Sequence, residues 1–220
     1  MILQTARLRL RPFVESDLDR IAELMAHEDF MKFSMGPMTR EQAATFLHKV
    51  IGWNQAGLPS LFAVIERETG TLIGYCGFLH QEVDGAKEIE IGYRLHPHFW
   101  NRGLATEAAH AVRDHAFRDL QLERLISLIH PDNHASRRVT EKNGMTIEKR
   151  TIFRGFPTIV FSINQETWHR QALEFVCRSM NSSAKARYAR APAPEVSYSK
   201  IVLPKLGASL NRTARGITVR

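Results

Sequence analysis

Between residues 61 and 129 the chain reads as three strands joined by tight turns, one long helix and one further strand. That order restricts the fold more than any other feature of the sequence. Leu61 to Glu66 is apolar and β-branched, Glu68-Thr69-Gly70-Thr71 is a turn, Leu72 to Leu79 is a second strand, and Asp84-Gly85 marks another turn. Glu88 to Leu95 then alternates. Ile89, Ile91, Tyr93 and Leu95 point one way, and Glu88, Glu90, Gly92 and Arg94 the other. Strands linked by short turns pair antiparallel, whereas a strand, a helix and a strand in series make a parallel crossover. The sheet is therefore expected to be mixed.

The flanking segments fill in the rest. Arg7-Leu8-Arg9-Leu10-Arg11 has period two and predicts an opening strand that Pro12 ends. Ser16 is read as a helix N-cap with Asp19 as its reciprocal partner, and Thr39 with Gln42 as a second capping box. Leu104, Ala108, Val112, Ala116 and Leu120 keep helical spacing, and Arg124 to Ile129 is a short buried strand. Asn133 is placed to cap a further helix that Asn143-Gly144 ends. Strands near Met145–Arg150 and Pro157–Ile163 and a short helix after Gln165, with Trp168 and Phe175 as packing residues, complete the pattern. The expected fold is α+β: a mixed, mostly antiparallel central sheet with helices on both faces, over residues 1–177.

After Cys177 the periodicity stops. Residues 178–220 carry nine Lys or Arg and one acid, Glu195, which leaves 21 basic and 22 acidic residues in 1–177. The net charge of +7 therefore belongs to this segment, which is read as a basic, disordered tail, with ordering on a partner as the alternative. Any contact with nucleic acid or the ribosome is expected through the tail alone. No apolar run approaches the roughly 20 residues that a membrane span needs. The opening MILQTARLRLRPF lacks the apolar core of a secretion signal. Cys76 and Cys177 lie far apart and form neither a disulfide framework nor a zinc motif. A cytoplasmic protein, monomeric or homodimeric, is expected.

The stretch from Tyr93 to Ala108 carries the chemistry. A strand ends, a short loop follows, and a helix begins at Gly103-Leu104-Ala105-Thr106. A helix start offers free N–H groups and the positive end of the dipole, and small residues let an anion reach the backbone. Gly103 and Ala105 give that access, Asn101 tolerates a left-handed turn, and Arg102 adds positive charge. The local physics points to an anion site without naming the anion. Neither a Gly-Lys-Ser/Thr loop nor a G-x-G-x-x-G fingerprint is present.

Four blocks in order resemble the GNAT acyltransferase superfamily, most closely the branch of the ribosomal-protein alanine N-acetyltransferases. They are Glu90 to Leu95, Trp100 to Ala108, Asn133-His134-Ala135-Ser136, and Glu141 to Met145. The resemblance covers about residues 3–170 and includes Thr5 to Arg11. It implies that Asn101, Arg102, Gly103, Leu104, Ala105 and Thr106 bind the pyrophosphate of acetyl-CoA. By the same resemblance Tyr93, Arg94 and Leu95 line the cofactor arm through their backbones, and Asn133 contacts the pantetheine. Trp100 departs from the usual Gln/Arg at the first loop position. It is read as a packing residue, with cover of the pantetheine channel as its other role.

The implied reaction is direct transfer of an acetyl group from acetyl-CoA to a primary amine. It needs a proton acceptor for the amine, donors for the thioester oxygen and a proton for the thiolate. Ser136 is the candidate beside the sulfur, and Glu90, through water, is the candidate base, with Glu88 as alternate. Gly92 is where a strand bulge is expected. His134 is a minor catalytic candidate, and Arg137, Arg138 and Lys142 are candidates for attracting the coenzyme's phosphates. At pH 7 an α-amine of pKa about 7.7–8.0 is about 10–17% free base, against about 0.04% for a lysine amine. This slightly favours an α-amine, such as a protein N-terminus, over a lysine, with small-molecule amines still open. No metal is expected, because proline separates the histidines of His96-Pro97-His98 and of His130-Pro131-Asp132-Asn133-His134. A non-catalytic acyl-CoA-binding module is the alternative function.

Overall fold

The computed structural model describes residues 1–179, with side chains through Glu174. The expectations for Phe175 and for the basic tail lie outside the described residues. Strands β1 (Leu3–Gln4), β2 (Leu8–Pro12), β3 (Leu61–Glu66), β4 (Leu72–Val83), β5 (Ala86–Leu95), β6 (Arg124–Ile129), β7 (Thr146–Phe153) and β8 (Phe156–Asn164) form one sheet, ordered 1-2-3-4-5-6-8-7. Every neighbouring pair is antiparallel except β5 and β6. The meander and the single crossover are therefore as the strand order predicts. Asp84-Gly85 and Arg154-Gly155 are two-residue turns with positive φ at both positions, the geometry that suits a twisted hairpin.

Helices α1 (Leu18–Ala26), α2 (Glu28–Met31), α3 (Arg40–Gln55), α4 (Leu104–Arg118), α5 (His134–Lys142) and α6 (Gln165–Ser179) flank the sheet. Strand alternation sorts the core. Phe62 and Val64 of β3 join α4 and Trp168 of α6, while Leu61, Ala63 and Ile65 join α1 and α3 on the other face. Phe78, Phe117 and Phe161 are fully buried. Each contributes about 2–3 kcal/mol by leaving water. Thr39 and Gln42 cap α3 reciprocally, the Gln42 amide donating to Thr39 Oγ1 and the Thr39 amide to Gln42 Oε1.

Four expectations are corrected. The first helical region opens with a 3-10 turn over Glu15–Asp17, and neither Ser16 nor Asp19 caps it. Asp17 does so, accepting from the Val14 amide at 3.0 Å while Arg11 donates to both its oxygens at 2.7 and 2.6 Å. The arginine at the end of β2 selects Asp17 over its neighbours. The second correction concerns Gly92. The β4–β5 register runs unbroken from Val83↔Ala86 to Gly74↔Leu95, with no bulge. A Cβ at Gly92 would lie 2.8 Å from Leu79 Cδ1, so a side chain there would require Leu79 to shift. The irregularity falls in β4, where Ile73 is the extra residue between Val64↔Gly74 and Ile65↔Leu72. Third, Trp100 is 45% exposed and does not pack in the core. Its indole N–H donates to the Leu95 carbonyl at 2.6 Å and closes off the end of β5. Fourth, the helix after Gln165 is 15 residues long and not short.

Asp17→Ala leaves the buried end of Arg11 and the Val14 amide without their acceptor. It is expected to lower unfolding stability by about 3 kcal/mol in urea titrations at neutral pH. Unchanged stability would contradict the capping role.

Candidate active site

Among the described residues, the one parallel contact in the sheet is also the ladder with the fewest paired residues. Strands β5 and β6 share one register pair, Glu90↔Ile126. Side chains bridge the gap beyond it. Ser127 Oγ donates to the Ile91 carbonyl at 3.0 Å, and Tyr93 Oη donates to the Ser136 carbonyl of α5 at 2.9 Å. Both strands run into helix starts, β5 into α4 and β6 into α5. Two positive helix ends therefore follow the carboxyl ends of adjacent parallel strands, an arrangement suited to an anionic ligand.

The α4 start is built for close approach. Asn101 and Gly103 both have positive φ, at 58° and 77°. Gly103 is the N-cap and supplies no side chain to the first turn. The amides of Leu104, Ala105 and Thr106 have no acceptor among the described residues. A Cβ added at Gly103 would meet only Arg7 Nη2, at 3.6 Å. The open backbone beside Gly103, which a side chain there would fill, fits a diphosphate. Arg102 divides its charge: its guanidinium donates to buried Glu66 at 3.0 Å and lies 5.4 Å from the Phe99 ring centroid.

Two residues of this loop's frame escape a sequence reading. Glu107, in the first turn of α4, accepts from Thr5 Oγ1 at 2.6 Å, from the Arg7 amide at 2.8 Å and from Arg7 Nε at 2.7 Å. Arg7 Nη1 then donates to the Arg102 carbonyl at 2.8 Å. The start of β2 is thus pinned to the loop 95 to 102 residues away. The only local hint is an acid in a first helical turn, favourable for the dipole.

At α5, Asn133 Oδ1 accepts from the Ser136 amide at 3.1 Å. Asn133 performs the capping, so the partly buried Ser136 hydroxyl is not consumed by it. Tyr93 sits on the seam, its Oη also 3.2 Å from Thr140 Oγ1, and burial raises its pKa well above the usual phenol range. Arg94 donates to the Phe30 and Phe33 carbonyls at 2.7 and 3.1 Å, fastening the α2 segment against β5. The Leu95 carbonyl is occupied by Trp100. Arg137 is paired with Glu141, while His134, Arg138 and Lys142 are exposed.

Glu90 is buried, at 8% exposure, beside the one β5–β6 pair. Its Oε2 accepts from Gln81 Nε2 at 2.6 Å, and its Oε1 lies 3.4 Å from the Leu128 amide. Burial pushes its pKa up to about 7, against the pull of these donors and of Arg154 and Arg94. Glu88, the alternate, is ion-paired with Arg124 at 3.1 Å. Among the described residues no three His, Cys, Asp or Glu side chains gather closely enough to hold a metal ion. No described helix is long and apolar enough to cross a membrane.

The match to known proteins agrees with this geometry. Residues 7–146 match the acetyltransferase (GNAT) domain family. The uncharacterized N-acetyltransferase YnaD of Bacillus subtilis (strain 168) is 32% identical over 176 residues, covering 77% of this chain and all of that protein. A crystal structure of a GNAT-family acetyltransferase from Bacillus anthracis superimposes with a TM-score of 0.65 at 29% identity, over 76% of this chain and 99% of that one. RimL, a ribosomal L7/L12 α-N-protein acetyltransferase solved with coenzyme A, shares the fold at TM-score 0.65 and 19% identity, over 76% and 99% of the two chains.

Glu90 binds its proton more tightly in the folded chain than in the unfolded one, so its ionisation lowers stability. The loss grows from about pH 4.5 to about pH 7 and is fully present above that. Glu90→Gln is expected to be more stable than the parent by about 3 kcal/mol at pH 8 and nearly equal to it at pH 4.5. Chemical denaturation at the two pH values measures this; equal stability at pH 8 would contradict it.

Proposed function

The chain belongs to the GNAT acetyltransferase family, and from that premise we propose that it transfers the acetyl group of acetyl-CoA to an α-amino group, by direct attack in a ternary complex. As a family member it is an acetyl-CoA-dependent N-acetyltransferase; the acceptor class and the residue roles are our reading. The observation that carries the reading is the pair of helix starts at the open β5–β6 seam, with the unpartnered amides of Leu104 to Thr106 beside Gly103. RimL, whose structure contains coenzyme A, has the same fold.

Acetyl-CoA supplies an activated acyl carbon and a thiolate leaving group. In this reading the first-turn amides of α4 hold the diphosphate, with Arg102 and Asn101 beside them. The open edge of β5 from Tyr93 to Leu95, apart from the Leu95 carbonyl that Trp100 occupies, and the Asn133 cap hold the pantetheine arm. The amine nitrogen bonds to the acyl carbon as the carbon–sulfur bond breaks. Glu90 accepts the amine proton through water. The proton that the nitrogen sheds as the amide forms is relayed through the Ser136 hydroxyl to the departing sulfur, which leaves as the thiol.

The acceptor class follows from matching proton affinities. General base catalysis works best when the base titrates near the working pH. Glu90 at about 7 lies within about one unit of an α-amine near 7.7–8.0, and more than three below a lysine amine near 10.4. An α-amine therefore loses its proton to this carboxylate far more readily. N-terminal peptides and amino acid derivatives are the first acceptors to screen.

Calorimetric titration with acetyl-CoA, coupled to thiol-release assays over a panel of α-amines and lysine amines, tests the reading. Turnover confined to lysine amines would overturn the acceptor class, and binding without turnover on any amine would favour a non-catalytic module. Gly103→Glu introduces both bulk and like charge at the cradle and is expected to weaken acetyl-CoA binding by more than about 100-fold; parent-like affinity would refute the loop assignment. Ser136→Ala is expected to lower kcat about tenfold or more with little change in acetyl-CoA affinity, and an unchanged kcat would remove Ser136 from the reaction.

A further inference from the structure

Gln81 stands between the buried Glu90 carboxylate and the outside. It lies on β4, and across the β4–β5 ladder it faces Glu88, one step along the same sheet face from Glu90. Its amide makes two polar contacts. Nε2 donates to Glu90 Oε2 at 2.6 Å, and Oε1 accepts from Arg154 Nη2 at 3.2 Å. An amide has one accepting and one donating end. By donating to the oxygen, Arg154 fixes which end is which and turns the NH2 toward Glu90. Arg154 is itself held by the two-residue β7–β8 turn and leans over the Phe153 ring, 5.0 Å from its centroid. Gln81 also lines a groove of about 560 Å³ together with His80, Glu82 and Lys87, so its outer side is open to solvent.

From this geometry we propose that Gln81 is a positioning residue for the acetyl transfer: oriented by Arg154, it holds the Glu90 carboxylate in its ionised, proton-accepting form. The proposal rests on Glu90 being the base. A hydrogen bond to the charged form of an acid favours that form. Burial acts the other way, so the two together set where Glu90 titrates. The titratable or charged groups that act on Glu90 or are acted on by it are Tyr75 on β4, Tyr93 and Arg94 on β5, and Arg154 on the β7–β8 turn. β6 offers only the Leu128 amide, at 3.4 Å. Arg94 is committed to the Phe30 and Phe33 carbonyls, which leaves Gln81 as the short side-chain contact to the carboxylate.

Gln81→Leu keeps the buried part of the side chain apolar and removes both polar ends of the bridge. Two measurements on the full chain are compared with the parent. One is the carboxyl carbon titration of Glu90 by NMR, assigned through Glu90→Gln. The other is the pH profile of kcat/KM with acetyl-CoA and the fastest amine of the panel. The amine's own titration is common to both proteins, so any difference between the profiles belongs to the enzyme. The expected result is an upward move of about one pH unit in both measurements, equal to a roughly fivefold lower rate at pH 7 that recovers at high pH. A lost packing contact alone would lower the rate at every pH. Arg154→Gln, on an exposed turn, is expected to give a smaller shift in the same direction and serves if Gln81→Leu does not fold. A Glu90 carbon titration that does not move in either variant would overturn the proposal. A moved carbon titration with an unmoved kinetic profile would instead overturn Glu90 as the base, so the two failures are distinguishable.

Discussion

Strands β5 and β6 touch at one pair of residues, and the site is arranged around that sparse contact. A fully laddered parallel pair would use the backbone groups of β5 beyond Glu90 on its neighbour. Here Ser127 and Tyr93 bridge the gap with side chains, and part of the β5 edge stays open. The same topology that makes this pair parallel places a helix start after each strand. Dipole, free amides and open strand edge therefore coincide without needing a large number of charged side chains. The two arginines nearest the loop, Arg7 and Arg102, are largely engaged with Glu107 and Glu66. Their main contribution is to hold the loop's shape.

The same seam explains the character of Glu90. A strand glutamate is ordinarily solvated, and burying a carboxylate without a cationic partner is unfavourable. Glu90 is accommodated by donors from two separate segments, Gln81 on β4 and the Leu128 amide on β6, and by a raised proton affinity. Its stability cost and the proton-acceptor role proposed for it have one physical origin. Glu88, two residues earlier on the same face, shows the contrast: it pairs with Arg124 and is held as an ordinary ion pair.

Much of the fold is legible in the sequence because its signals are local. The meander, the long helix, the Thr39–Gln42 box and the Asn133 cap each depend on residues a few positions apart. Three of the four misreadings turn on contacts made outside the residue's own element. Asp17 outcompetes Ser16 because Arg11 arrives from the preceding strand. Gly92 looks like a bulge, but it pairs regularly with Gly77 of β4 and faces the Leu79 side chain of that strand. Trp100 looks like core because tryptophan is large and apolar, yet its indole N–H finds the carbonyl at the end of β5 and the ring stays half exposed. Within the site, the loop over Asn101 to Thr106 was readable from glycine placement and the helix start. The Arg154–Gln81–Glu90 chain was not, because Arg154 lies 73 residues from Gln81 on a different hairpin.

A crystal structure of the chain with coenzyme A bound tests the central claim most directly. The diphosphate oxygens are expected to lie within about 2.7–3.2 Å of the amide nitrogens of Leu104 to Thr106, with the pantetheine arm along the open edge of β5. Coenzyme bound elsewhere, with those amides still lacking an acceptor, would contradict it.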